Sequence, residues 1–320
     1  MGYKGWLIYD EAGFKRNKWF AEHLLEGASE YGLELELKVL PTEGAEYREL
    51  PTQKQEMILG ELLADVHEPE QTNGIGGACS SPCRFAIVRV IAPKLSLALE
   101  QKGIRLFNNS VTARIANDKW LTYRKALEWD IPVLDTGLAD THRMQEGTEP
   151  INVTAGKELD YPQIIKATTG HGGHQVYWAS DAGQKEAILQ ELFRQGVQAG
   201  EIIYQKPCSN PGKDMRVYVL GGEIYCAVLR SSDRDFRSNF SLGGEIALAE
   251  PTQEQERVIK RLYEKLHFDF AGIDFIIHEG EWILNEIEDV VGTRMIYQLT
   301  DKDPVRDYLA YIRIYFERTS

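Results

Sequence analysis

Residues 266–292 read LHFDFAGIDFIIHEGEWILNEIEDVVG. Two apolar stretches, roughly 270–277 and 282–287, flank Glu279-Gly280, and their Ile/Phe-rich alternation predicts a β-hairpin. Three carboxylates interrupt the pattern: Asp274 on the first strand, Glu286 and Glu288 on the second. A three-residue connection, Glu279–Glu281, sets Asp274 opposite Glu286, and alternation puts Glu288 on the same face. A two- or four-residue connection would set Asp274 against Asn285 and scatter the acids. Acids held about 4 Å apart repel by roughly 4 kcal/mol per pair at an effective dielectric of about 20. A cation must compensate: either arginine or a hard divalent ion such as Mg²⁺, which takes carboxylate and phosphate oxygens. The clustering of all three acids, with basic segments elsewhere in the chain, points to the metal.

The chain has 320 residues, room for two or three domains. Its 43% hydrophobic and 27% charged content is that of a globular protein. A net charge of −13 argues against a nucleic-acid binder or a partner of anionic membranes, although local basic clusters can still hold phosphates. The opening MGYKGWLIYDEAG has no apolar core long enough for a signal peptide, and no run approaches about 18 apolar residues, so a cytoplasmic protein is expected. Cys79 and Cys83 are spaced C-x₃-C without a histidine pair nearby and read as free thiols.

Strand-like segments at 5–9, 33–40, 85–91 and 105–107 alternate with helical patterns at 15–31, 52–65 and 94–102. The alternation predicts an α/β domain with a mostly parallel sheet over 1–108. Ligands gather at the carboxyl ends of such strands, so Asp10, Glu11 and Arg89 are cleft candidates, with structural roles equally open. A helix capped by Asn109-Ser110 is expected to run to about Trp129, carrying Lys119. An α+β unit closes residues 109–205, with strands at 161–167, 175–179 and 201–206 around a helix at 182–196. Within it lies TTGHGGHQ, residues 168–175, whose Gly172 and Gly173 let backbone amides approach a phosphate. Lys166, two residues before this loop on an apolar strand, needs an anion if it is buried. The last unit, 206–320, begins with the strands MRVYVLG and EIYCAVLR joined at Gly221-Gly222. SSDRDFRSNFSLGGE follows, a loop bearing Arg234, Arg237 and Asn239 just after Arg230, and then a helix at 252–267 leading into the acidic hairpin.

These segments resemble the ATP-grasp superfamily, in particular its branch of ribosomal protein S6 glutamate ligases and amino-group-carrier-protein ligases. The resemblance covers roughly residues 104–292 and rests on DFRSNFSLGGE, NDKW around Lys119, the Lys166 strand with its glycine loop, Asp214-Met215-Arg216, AGIDF and LNEIE. It implies α/β and α+β architecture: an ATP-grasp fold behind an N-terminal pre-ATP-grasp α/β domain. It further implies ATP between two subdomains, with Lys119, Lys166, Gly172 and Gly173 on the phosphates and Gln205, Lys206, Pro207 and Cys208 at the adenine. Asp214 would hold the sugar, Arg237 and Asn239 the phosphate end, and Asp274, Glu286 and Glu288 would take two Mg²⁺ ions, with Mn²⁺ an alternative. Arg237 is the catalytic candidate; Arg89, Arg216 and Arg294 are substrate candidates. The implied reaction is amide formation through an acylphosphate, releasing ADP and phosphate, with amino acids or peptides as substrates. Nucleic acid and membrane are not expected partners, and a homo-oligomer is compatible with the chain.

Three departures from the family pattern stand out. Glu286-Ile287-Glu288 replaces the usual Glu-x-Asn, Val290-Val291-Gly292 replaces Ser-Pro-Gly, and Lys206-Pro207 takes the place of the adenine-side acid. His171 and His174 read as phosphate contacts, proton carriers or solvated loop residues. Two other readings are a peptide- or metabolite-tailoring ligase and a catalytically idle nucleotide-binding module.

Overall fold

The structure, a computed structural model, describes residues 2–66, 83–139, 159–170, 175–232 and 244–319. Cys79, His171, Gly172, Gly173, His174, Arg234, Arg237 and Asn239 lie outside the described residues. Thirteen strands are described: β1 (Tyr3–Asp10), β2 (Leu33–Leu40), β3 (Phe85–Val88), β4 (Arg105–Phe107), β5 (Thr136–Leu138), β6 (Gln163–Ala167), β7 (Val176–Ala179), β8 (Ile202–Gln205), β9 (Lys213–Leu220), β10 (Glu223–Ser231), β11 (Glu245–Ala249), β12 (Phe270–His278) and β13 (Glu281–Glu288). They form three sheets, in the orders β2-β1-β3-β4, β5-β8-β6-β7 and β11-β10-β9-β12-β13.

The first sheet is wholly parallel, as the strand–helix alternation predicts. At its carboxyl edge Asp10 is a structural residue: its oxygens accept from Gly13 N at 2.6 Å and Tyr47 N at 2.8 Å. Glu11 likewise accepts from Gly44 N. The amphipathic stretch 15–31 is not one helix; it divides at Asn17 into Glu11–Arg16 and Lys18–Gly27, with a 3-10 turn at Ala28–Tyr31.

Alternation organises the third sheet. Val217, Val219, Ile273, Phe275, Leu284 and Ile287 point into a core under the helix Gln253–Leu266. Tyr218, Val228 and Phe270 point the other way, into a core shared with Leu7, Phe85 and Phe107 of the first sheet. The final helix, Pro304–Thr319, which the sequence reading passed over, joins that second core through Tyr308, Leu309, Ile312 and Phe316. Residues that sequence order assigns to the last unit therefore pack on the first sheet.

Asp269 sits where these layers meet. Its Oδ1 accepts from Arg105 Nη2 at 2.6 Å and from the Tyr311 hydroxyl at 2.9 Å. Burial pushes its carboxyl up to about 6, against the pull of Arg105. The ordinary value is 3.8, so the folded chain holds the extra proton between the two and stability falls as pH rises across that interval. The expected drop is on the order of 3 kcal/mol. Asp269→Asn should flatten this slope in urea midpoints recorded between about pH 4 and about pH 7. Parallel curves for the two proteins would remove Asp269 as the titrating group.

Candidate functional site

The acidic hairpin forms in the expected register by an unexpected route. Its connection has two residues, Glu279 and Gly280, both with positive φ (53° and 89°), the conformation a tight hairpin turn requires. Such a turn sets Phe275 opposite Leu284, and carried on regularly it would oppose Asp274 to Asn285. A bulge at Asn285 absorbs one residue instead, and Asp274 pairs with Glu286. The bulge also lets Leu284 and Ile287 both enter the core while Asn285 and Glu286 both stay partly exposed outside it. Glu288 lies opposite Gly272, where a Cβ would come within 2.7 Å of a Val291 methyl carbon, so a larger residue there would force Val291 to move.

Asp274, Glu286 and Glu288 each present an oxygen within 4.8 Å of the others. Cations surround them. Arg216 donates to Asp274 from Nε and Nη2, both at 2.7 Å, and its Nη2 lies 2.6 Å from Glu288 Oε1. Arg230 donates to both oxygens of Asp214, at 2.6 and 2.7 Å, and to Asp274 Oδ2 at 2.7 Å. Lys119 Nζ lies 3.1 Å from Glu286 Oε1. Burial would raise the Asp274 carboxyl, but the Arg216 and Arg230 guanidiniums outweigh it and hold the group at about 2. Burial raises the Glu288 carboxyl, with Asp274 and Glu286 adding and Arg216 opposing. Among the described residues four acids, Asp214, Asp274, Glu286 and Glu288, thus face four cations, Lys119, Lys166, Arg216 and Arg230. Oxygen lone pairs remain on all three clustered carboxylates, a hard-donor set that fits Mg²⁺ and equally Mn²⁺.

Two lysines come from other parts of the chain. The helix expected over 109–129 breaks at Asn117-Asp118 into Ser110–Ala116 and Lys119–Glu128. Asp118 caps the second helix through Leu121 N, which puts Lys119 at its first position. There Lys119 N donates to Thr168 O at 2.9 Å and Nζ reaches Gly170 O, tying the base of the glycine loop to Glu286. Lys166, on β6, is 8% exposed; its Nζ donates to Gln205 Oε1 at 2.7 Å and lies 3.5 Å from Asn285 Oδ1. Burial pushes its ammonium down to about 8, with Glu286 pulling it back.

Not every candidate faces this centre as expected. Asp214 has both oxygens on Arg230 and serves as its counter-ion. Arg216 is paired with Asp274 and Glu288. Arg89 is buried, stacked 4.9 Å over Phe20, and donates from Nη2 to Val291 O at 2.9 Å, so it anchors the Val290-Val291-Gly292 loop. Arg294 is exposed at the start of the helix Arg294–Leu299 and makes no ion pair among the described residues. The Gln205 side chain is spent on Lys166 and Thr136, Lys206 is exposed, and Cys208 lies beside Lys166. Backbone groups of 205–208 are then what a base could meet. Two residues that the sequence reading named without assigning to the site belong to the centre: Arg230, as bridge between Asp214 and Asp274, and Asn285, through its bulge. An arginine ending an otherwise apolar strand was the available signal for the first.

The RimK-like ATP-grasp domain profile matches residues 116–312, well over half of the chain. The chain belongs to the RimK-like ATP-grasp family. Human N-acetylaspartylglutamate synthase A is 31% identical to this RimK-like chain over 201 residues, 61% of the chain and 48% of the synthase. The match therefore spans about half of that relative's length. Glutamate–LysW ligase ArgX of Sulfolobus acidocaldarius is 25% identical over 235 residues, 71% of this chain and 81% of the ligase. Among solved structures, D-alanine–D-alanine ligase from Bacillus anthracis complexed with ATP superposes with a TM-score of 0.65 at 15% identity, covering 99% of this chain and all of that one. A RimK-domain ATP-grasp protein from Sphaerobacter thermophilus gives 0.63 at 16% identity, over 98% of this chain and 99% of its own. The overall fold is that of ATP-grasp proteins. Among the described residues no helix is long and apolar enough to cross a membrane.

Proposed function

We propose that this RimK-like chain is an ATP- and Mg²⁺-dependent carboxylate–amine ligase of the cytoplasm, joining an amino acid or peptide carboxylate to an amine. One observation carries the reading: three carboxylates on one hairpin face lie within 4.8 Å and meet, through Glu286, a lysine that also holds the base of the glycine loop. Asp274, Glu286 and Glu288 would hold Mg²⁺, or Mn²⁺ in its place, and the ion would neutralise charge on phosphoryl oxygens. Lys119 and Lys166 would turn to the phosphates of ATP, each leaving an internal partner to do so.

The carboxylate oxygen of the acid substrate attacks the γ-phosphorus and ADP leaves, giving an acylphosphate. The amine nitrogen then attacks the acyl carbon, phosphate departs with the bonding pair, and the amine loses a proton. Arg237 is proposed to stabilise the phosphate end together with Asn239. No covalent enzyme nucleophile is needed, since ATP supplies the activation. A phosphate-release screen of amino acids and short peptides in all pairings, with mass detection of products, tests the assignment. ATP consumption that never depends on a carboxylate and an amine together would rule it out.

Lys166→Ala should raise the KM for ATP about tenfold and lower kcat, since a buried ammonium that bonds only amide oxygens among the described residues is poised for an anion. Unchanged ATP dependence would take Lys166 out of the phosphate site.

A further inference from the structure

The first sheet has an open edge, far in the strand order from β4. β2 ends the order β2-β1-β3-β4 and pairs with β1 alone along all 8 of its residues. In a parallel ladder each residue turns its N–H and its C=O to the same side, and successive residues alternate sides. Tyr3 N donates to Gly32 O and Arg89 N to Ile8 O, so odd residues of β1 bond β2 and even ones bond β3. With Tyr3 opposite Leu33, β2 spends Glu34, Glu36 and Lys38 on β1 and turns the amides of Leu35, Leu37 and Val39 outward. Those outward groups have no hydrogen-bond partner among the described residues.

A groove of about 400 Å³ runs between this edge and the helix Thr52–Ala64. Ile58 and Leu62 are buried in it, and Glu36, Lys38, Glu61 and Asp65 line it. Lys38 Nζ lies 2.8 Å from Glu36 and 3.0 Å from Asp65, whereas Glu61 is exposed and makes no ion pair among the described residues. Room therefore remains for a second cation. On the opposite face of the strand Leu35 and Leu37 are half-buried, and Val39 is 37% exposed.

Charges on an edge strand ordinarily deter stray strands. Here their order suits one partner, the same strand running the other way. In a two-fold antiparallel pair, opposite residues share a face, so the register is named by the residue on the axis. An axis at Glu36 or Lys38 sets like charges opposite, and one at Leu35 sets Glu34 against Glu36. An axis at Leu37 sets Glu36 against Lys38 of the second copy, twice. That register also opposes Leu37 to Leu37 and Leu35 to Val39, the residues with outward amides, and each such pair can exchange two hydrogen bonds. The charged pairs fall at the intervening positions, where side chains stand closer, and Lys38 of the second copy enters the groove that Glu61 lines. Pro41, without an N–H, ends the ladder just past Leu40.

We propose that β2 is the interface of a homodimer, in which two copies pair their β2 strands antiparallel about Leu37 and their four-stranded sheets run on as one. The proposal goes beyond the ligase reading and does not depend on it.

Sedimentation velocity of the full chain at micromolar concentration is the test, and the wild type is expected to sediment as a dimer. Glu36→Lys and Lys38→Glu each set like charges opposite, and either should weaken the dimer about tenfold or more. Mixed together, the two variants should pair with each other about as tightly as the wild type does with itself, since the mixture restores both opposite-charge pairs. Val39→Pro removes an outward N–H that β1 does not use, and should also weaken the dimer about tenfold. Far-UV circular dichroism matching the wild type shows that each variant is folded. A monomeric wild type overturns the proposal, whatever else the edge then binds. So does a dimer that none of the three substitutions weakens, or a folded pair of charge variants that stay apart when mixed.

Discussion

Glu286→Gln is expected to lower turnover by about 10³-fold or more while leaving the protein folded. Among the described residues the Glu286 carboxylate makes one ion pair, with Lys119 at 3.1 Å, and its side chain is 20% exposed. Glutamine keeps the shape, and Lys119 retains Gly170 O as an acceptor. The thermal midpoint should therefore move little, while Mn²⁺ affinity, read by titration without substrates, falls. Asp274→Asn should silence the enzyme equally but behave differently on unfolding. Asp274 accepts from two buried guanidiniums, so the neutral side chain leaves Arg216 and Arg230 short of a counter-charge and destabilises by about 3 kcal/mol or more. Near-normal turnover in either variant would refute the metal assignment. Equal stability of the two would refute the distinction between them.

Arg230→Met is expected to produce the largest loss of stability. The Arg230 side chain is 4% exposed and holds Asp214 and Asp274, which are 9% and 3% exposed. Removing one member of such a cluster leaves buried charge unmatched, a loss of about 3–5 kcal/mol, and the thermal midpoint should fall by about 10 °C. Asp214→Asn placed in the same chain should recover part of the loss, because it removes one of the stranded charges. A midpoint unchanged by Arg230→Met would mean that water, not the guanidinium, satisfies the two carboxylates.

Much of this centre was legible in the letters, though not always for the reason the letters suggested. The pairing of Asp274 with Glu286 was anticipated from a three-residue turn, whereas the chain uses two turn residues and regains the register at the Asn285 bulge. A bulge leaves no composition signal, since its function is to let consecutive side chains share a face. Lys119 was placed in mid-helix because one helix, capped at Asn109-Ser110, was expected to run to about Trp129. The break at Asn117-Asp118 wins because Asn117 bonds Ala113 O and Asp289 Oδ1 while Asp118 caps the next helix. Arg89 and Asp214 were read as ligand-facing from position and motif, yet each has an internal partner supplied by another strand or loop.

By itself the amino-acid sequence determined most of the strand content, the parallel character of the first sheet and the alternation that separates the two faces of the third; Glu286 and Glu288 joined Asp274 on one face only through the Asn285 bulge. These properties repeat every two to four residues, so a short window encodes them. It also carried the family, through local motifs. Tertiary structure alone decided which cation meets which acid: Arg230 reaches Asp274 across 44 residues of chain and Arg216 reaches it across 58. The strength of an ion pair depends on separation and on exclusion of water, and neither is written in the spacing of residues along the backbone.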